Sequence, residues 1–143
     1  MTKTYAITYL VDPDSLDSET IGFVSLLNDS LSIEDGYNPK ATPSGFTYKN
    51  SPAVKIGRLG INCAYHRSGI GSSVMNLIKS MFLNCNRTGC RFITVDAYSN
   101  KKTIAFYQKN GFDFLSDKDQ KRRTRLLFFD LSRHISNNCP MLE

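Results

Sequence analysis

The chain has 143 residues, 41% apolar and 22% charged, with a formal charge of +5. That length suits one domain around one core, and that balance excludes a disordered or fibrous chain. No apolar run approaches a membrane span, and the start (Met1-Thr2-Lys3-Thr4-Tyr5) has no signal-peptide hydrophobic region, so a cytoplasmic protein that does not enter the membrane is expected.

Tyr5 to Val11 alternates larger apolar and smaller or polar residues, as a half-buried strand does, and Asp12-Pro13-Asp14 supplies turn chemistry after it. Ile21 to Leu27 reads as a second strand, antiparallel to the first. Residues 30–52 carry Gly36, Pro39, Pro43 and Gly45 without periodicity and are expected to form a long loop. Ala53 to Asn62 is a third strand. Beyond it Ile70, Val74, Leu77, Ile78, Met81 and Phe82 recur at helical spacing and define one apolar face. Phe92 to Ala97 is a short strand of buried type. A second helix is predicted over 101–110, with Asn100 as its N-cap and Gly111 as its stop. Phe112 to Leu115 and Arg125 to Leu131 close the sequence of strands, and a polar tail, loosely held, runs over 132–143. The order is hairpin, strand, helix, strand, helix, hairpin. That is an α/β domain with a sheet of mixed direction over 1–131.

Cys63, Cys85, Cys90 and Cys139 form no C-x-x-C pair, and His66 and His134 lie far apart, so no metal site is expected and the thiols read as reduced and mostly packed away. Five basic residues fall within 118–125: Lys118, Lys121, Arg122, Arg123 and Arg125. Such a cluster either attracts phosphate or is a solvated loop between two strands.

The chemistry concentrates between the third strand and the first helix. In His66-Arg67-Ser68-Gly69-Ile70-Gly71-Ser72 two glycines allow close backbone approach, while a helix N-terminus offers free N–H groups and a favourable dipole. The turn is an anion site or, equally simply, a tight connection. It lacks the third glycine of a dinucleotide fingerprint and the Gly-Lys-Ser/Thr ending of a P-loop.

Val54 to Ile61 followed by this turn resembles the cofactor segment of the GNAT superfamily of N-acetyltransferases, whose Gln/Arg-x-x-Gly-x-Gly/Ala motif falls on His66, Gly69 and Gly71. A second signature, an Asn seven residues before a Tyr and then Gly-Phe, falls on Asn100, Tyr107 and Gly111-Phe112. The resemblance implies a GNAT-like mixed central sheet with flanking helices and acetyl-CoA as the acetyl donor. It implies that backbone amides of Arg67, Ser68, Gly69, Ile70, Gly71 and Ser72 hold the pyrophosphate. Leu59, Gly60 and Ile61 would pair with the pantetheine arm and polarise the thioester carbonyl. Asn100 would contact the pantetheine, and Tyr107 would protonate the leaving thiolate; the other reading of Tyr107 is a core aromatic, as for Phe106. Asp96 is a candidate base or a buried structural carboxylate. His66 stands where the family has Gln or Arg, which weakens a side-chain contact.

Family domains usually begin with a strand and two helices ahead of the hairpin at Tyr5–Leu27, so an N-terminally truncated domain is expected: a fragment, a late start site, or a chain completed by a partner such as a second copy. Gly57-Arg58-Leu59, the stretch from Phe106 to Phe112, and Thr124 to Leu131 resemble the toxin–antitoxin branch, which acetylates the amino group of aminoacyl-tRNA and blocks translation. That branch implies aminoacyl-tRNA as acceptor and an antitoxin protein as partner, with Arg58 and the 118–125 cluster facing the RNA. The alternatives are a general acetyltransferase for small amines or protein N-termini, and an inactive module that binds coenzyme A.

Overall fold

The computed structural model describes residues 2–12, 17–32, 50–84 and 89–134. Six strands and two helices follow one another as β1 (Thr2–Asp12), β2 (Asp17–Ser32), β3 (Asn50–Ile61), α1 (Ile70–Asn84), β4 (Phe92–Tyr98), α2 (Lys101–Lys109), β5 (Asp113–Phe114) and β6 (Thr124–Asp130), with 3-10 turns at Cys63–Tyr65 and Leu131–His134. They make a single sheet in the order β1-β2-β3-β4-β6-β5. The expected mixed α/β sheet with flanking helices is therefore present. Only β3 and β4 run parallel, because α1 crosses over between them; every other neighbour is antiparallel.

The first hairpin is longer than its apolar residues suggest, since β2 runs through Asn28, Asp29 and Ser30 to Ser32. These polar residues stay in the strand because the backbone pairs Asn28 with Val54 and Ser30 with Pro52. The middle of the expected loop, residues 33–49, and the Pro13-Asp14 turn lie outside the described residues, as do Cys85, Cys139 and the tail beyond His134. Ser132 to His134 belong to the second 3-10 turn rather than to a loose tail: Ser132 donates from N and Oγ to Asp130 Oδ1, and the His134 ring stacks on Phe129 at 4.7 Å.

The two faces of the sheet carry separate apolar clusters. On the helix side, Val24, Leu26, Val54, Ile56, Ile93, Val95, Leu127 and Phe129 pack with Val74, Met75 and Ile78 of α1 and Tyr107 of α2. The other face buries Leu31, Ala53, Phe92 and Phe128. Each such valine, leucine, isoleucine, methionine or phenylalanine contributes about 1.5–3 kcal/mol when fully buried. The helical face differs at one expected position: Leu77 is 61% exposed, whereas Met75 is 1% exposed. Leu77 lies off the Val74–Ile78 line and does not belong to the helix-side cluster of the described residues.

α2 ends as the glycine predicts. Phe112 N–H donates to Tyr107 O and Gly111 N–H to Gln108 O, with Gly111 at φ 81°. These paired bonds satisfy two of the orphan carbonyls at the helix end. Phe112 is thereby drawn under the helix, where it is 2% exposed.

Candidate active site

The parallel pair β3–β4 is short. Its register runs from Ala53 opposite Phe92 to Ile56 opposite Val95 and stops there, although both strands continue, β3 to Ile61 and β4 to Tyr98. The cause is visible on the other edge of β3. Leu26 pairs with Ile56 but Ser25 pairs with Arg58, so Gly57 is the extra residue of a β-bulge. A bulge bends its strand and sharpens its twist. Beyond Gly57, β3 stays with β2 (Arg58 to Ile61 opposite Ser25 to Gly22), while β4 stays with β6 (Asp96 to Tyr98 opposite Leu126 to Thr124). The sheet opens into a wedge-shaped gap between the two, and among the described residues no strand stands opposite the β3 edge along Leu59 and Gly60.

The chain leaves this gap directly into the glycine turn. Asn62 Oδ1 accepts from Ala64 N–H at 3.1 Å and caps the first 3-10 turn. His66 Nε2 lies 2.9 Å from Ile61 O. A carbonyl only accepts, so this contact places the proton on Nε2, and the Ile61 carbonyl is occupied at the outer end of the gap. Ser68 Oγ donates to Tyr65 O at 2.5 Å. Arg67 and Gly69 both stand at positive φ, 63° and 84°. For Arg67 that conformation costs about 1–3 kcal/mol. The first helical bond of α1 is Ser73 N–H to Gly69 O, so the amides of Ile70, Gly71 and Ser72 have no helical carbonyl to reach. No acidic residue stands in the first turn. Free amides, the positive end of the helix dipole and the exposed Arg67 make a cradle for an anion.

The two glycines of the turn do different work. A Cβ at Gly69 would meet nothing within 4 Å, so only the backbone conformation requires glycine there. A Cβ at Gly71 would lie 3.0 Å from Phe106 Cε2, so that glycine admits the α2 aromatic against α1. Close approach to a ligand is expected of both; at Gly69 the space is open, and at Gly71 the close approach is between the helices.

Tyr107 is 7% exposed, with its ring edge-on to Phe106 at 5.1 Å and to Phe112 at 5.5 Å. It shares a core with Leu59, Ile61, Ile70 and Ala97, the residues that flank the gap and the turn. Its hydroxyl makes no hydrogen bond among the described residues, yet no buried side-chain oxygen there lacks a partner, so the oxygen itself reaches solvent. Burial of the ring pushes the phenol above its ordinary value of 10.0 by desolvating the phenolate. The ring is thus a core aromatic, and its protonated hydroxyl makes no bond among the described residues.

Asn100 caps α2, its Oδ1 accepting from Thr103 N–H at 2.8 Å, which leaves its amide Nδ2 for any ligand. Asp96 is not the buried carboxylate considered from sequence: it is 49% exposed and Lys55 Nζ lies 2.6 Å from its Oδ2. Alternation along β4 puts Asp96 on the face opposite Val95 and Ala97, where Lys55 of the neighbouring strand reaches it. Cys63 is exposed, against expectation, and Cys90 is buried. Among the described residues there is no cluster able to hold a metal ion and no helix long and apolar enough to cross a membrane. The bulge at Gly57 and the end of pairing at Ile56 were not read from the sequence; a glycine flanked by Ile56 and Arg58 was the available signal.

Residues 3–112 match the family model described as Acetyltransferase (GNAT) family. No curated protein matches the chain. Solved structures that resemble it include AtaT complexed with acetyl-methionyl-tRNAfMet, with TM-score 0.65 and 24% identity over 93% of this chain and 73% of that one. Another is a Tyr-to-Phe variant of the AtaT toxin bound to the C-terminus of the antitoxin AtaR and acetyl-CoA (TM-score 0.60, 21% identity, 92% of this chain and 69% of that one). A third, solved as a bacterial toxin, has TM-score 0.64 at 15% identity and covers 94% of both chains. At these identities the likeness is one of fold.

Proposed function

This chain belongs to the acetyltransferase (GNAT) family, and on that premise we propose that it transfers an acetyl group from acetyl-CoA directly to a primary amine, that of an aminoacyl-tRNA. The observation that carries the reading is the gap opened at Gly57 beside an acid-free helix N-terminus. The residues fit the donor: unpaired amides of Ile70, Gly71 and Ser72 suit a pyrophosphate, and the unpaired β3 edge at Leu59 and Gly60 suits the amide-bearing pantetheine arm. Acetyl-CoA, when bound, supplies an activated thioester.

The chain's own residues divide the remaining work. Backbone amides of Arg67 to Ser72 bind and orient the diphosphate, with Arg67 adding a charge-assisted contact. A backbone N–H in the Leu59–Ile61 stretch donates to the thioester carbonyl oxygen as negative charge builds there during attack by the amine. Asn100 steadies the pantetheine through Nδ2. Tyr107 holds its proton through neutral pH because burial raises its pKa, and it delivers that proton to the departing sulfur. The amine loses its proton to water, since Asp96 is already tied to Lys55.

The acceptor class is supported by the similarity to toxins whose solved complexes hold acetylated tRNA and antitoxin. It is supported also by exposed Arg58, Lys121, Arg122 and Arg123, none of which forms an ion pair among the described residues. An antitoxin partner follows from the same likeness. The test is a translation reaction supplied with acetyl-CoA, with and without the protein, followed by mass analysis of the amino acids released from tRNA. N-acetylated amino acids and arrested translation are expected. Full translation, with acetyl transfer only to small amines, would leave the general acetyltransferase in its place.

A further inference from the structure

One large aromatic at the gap is unexplained by the chemistry above. Along β4 the side chains alternate: Ile93, Val95 and Ala97 enter the helix-side core, while Phe92 enters the other face. Asp96 and Tyr98 continue that second face beyond the last residue paired with β3. Tyr98 therefore stands at the rim of the gap, on the side of the sheet opposite Tyr107. It is 55% exposed although it lies in the middle of the sheet, next to β6.

Its surroundings are cationic and held in place. The Arg123 guanidinium lies 5.5 Å from the Tyr98 ring centroid. Ser99 N–H donates to Arg123 O at 2.9 Å and Ser99 Oγ to Arg122 O at 2.7 Å, fixing the β5–β6 loop to the end of β4. The carboxylates of that loop are committed elsewhere. Asp119 takes Arg125 Nε at 3.0 Å and Leu126 N–H at 2.8 Å, and Asp117 lies 3.7 Å from Arg125. Arg122 and Arg123 thus keep their charge uncompensated by any carboxylate of the described residues. Arg58 adds a third guanidinium on this face, since it pairs with Ser25, which shares its face with Leu27, the partner of Lys55. An exposed ring with the Arg123 guanidinium over it, next to Arg122 in sequence and on the same face of the sheet as Arg58, complements a base with its phosphates.

Resting on the aminoacyl-tRNA reading, we propose that Tyr98, backed by Arg123, is the platform on which a base at the acceptor end of the RNA stacks, so that the amino acid enters the gap from the face opposite the helices. The platform selects the acceptor and takes no part in acetyl transfer itself.

The experiment compares kcat/KM for an aminoacyl-tRNA with that for the corresponding amino-acid amide, which has the same amine and no RNA. In Tyr98→Ala the ratio of the two falls about ten- to a hundredfold, the range for loss of one base–aromatic stack. Tyr98→Phe, which keeps the stacking face, restores it. Arg123→Gln lowers the ratio less and flattens its dependence on salt. An unchanged ratio in Tyr98→Ala, or parallel loss on both acceptors, overturns the platform alone. If the wild type acetylates the amide and not the aminoacyl-tRNA, the acceptor reading fails and the platform with it.

Discussion

Replacement of Tyr107 by Phe separates the packing role of this side chain from its proposed role as proton donor. The ring is edge-on to Phe106 at 5.1 Å and Phe112 at 5.5 Å, and Phe preserves both contacts. The hydroxyl has no hydrogen-bond partner among the described residues, so its removal breaks no bond. Stability should therefore change by no more than about 0.5 kcal/mol. For a domain of this size that moves Tm by about 2 °C or less. Catalysis should fall by about a hundredfold or more, the usual loss on deleting a general acid. That factor corresponds to ~2.7 kcal/mol of barrier, at ~1.36 kcal/mol per decade. The acetylated amine should be followed by mass spectrometry, because a thiol reagent would also consume the exposed Cys63. The pH profile gives a second readout. Burial raises the phenol above 10.0, so the alkaline limb of kcat lies above pH 10.0 in the wild type and disappears in Tyr107→Phe. The same shift has a sign for stability: the neutral phenol's contribution is complete below its unfolded pKa and is lost as pH rises through the folded value, so the variant resists alkaline unfolding slightly better. A variant that keeps kcat within threefold of wild type, or that loses kcat and Tm together, would refute the proton-donor role.

Gly69→Ala places a Cβ in open space at φ 84°, so only left-handed backbone strain acts, about 1–2 kcal/mol; KM for acetyl-CoA should rise, and an unchanged KM would remove the turn from donor binding. Gly111→Ala meets similar strain at φ 81° and also brings a Cβ to 3.2 Å from Phe129 Cε2, so chemical unfolding should show a larger loss than Gly69→Ala; equal losses would mean that the Phe129 ring yields freely. Asp96→Asn breaks an ion pair whose partners are 26% and 49% exposed, so it should cost about 0–1 kcal/mol of stability. Its kcat should stay within threefold of wild type; a loss of about a hundredfold with a displaced acidic limb would make Asp96 the base after all.

Much of the candidate site's local structure was legible in the residues because it depends on short-range backbone geometry. The turn at His66–Ser72, the cap at Asn100 and the stop at Gly111 are short-range devices, each set by residues within one turn of one another. The Gly-Phe after α2 likewise announces the bonds from Gly111 and Phe112 that end that helix. Sequence periodicity alone misplaced Leu77, because exposure depends on what the sheet offers that face of α1. It also left Asp96 ambiguous, since its partner Lys55 lies 41 positions earlier in the chain.

By itself, then, the sequence determined the order of strands and helices, the mixed α/β class, the glycine turn and the aromatic at Tyr107, all of which follow from spacing along a few residues. The tertiary structure alone decided that β6 inserts between β4 and β5, that pairing of β3 with β4 stops at Ile56–Val95, and that Tyr98, Arg58 and Arg123 share one face. Those features depend on register between segments tens of residues apart. A one-residue bulge at Gly57 shifts that register and opens the sheet, and no local pattern encodes which strand will stand opposite it.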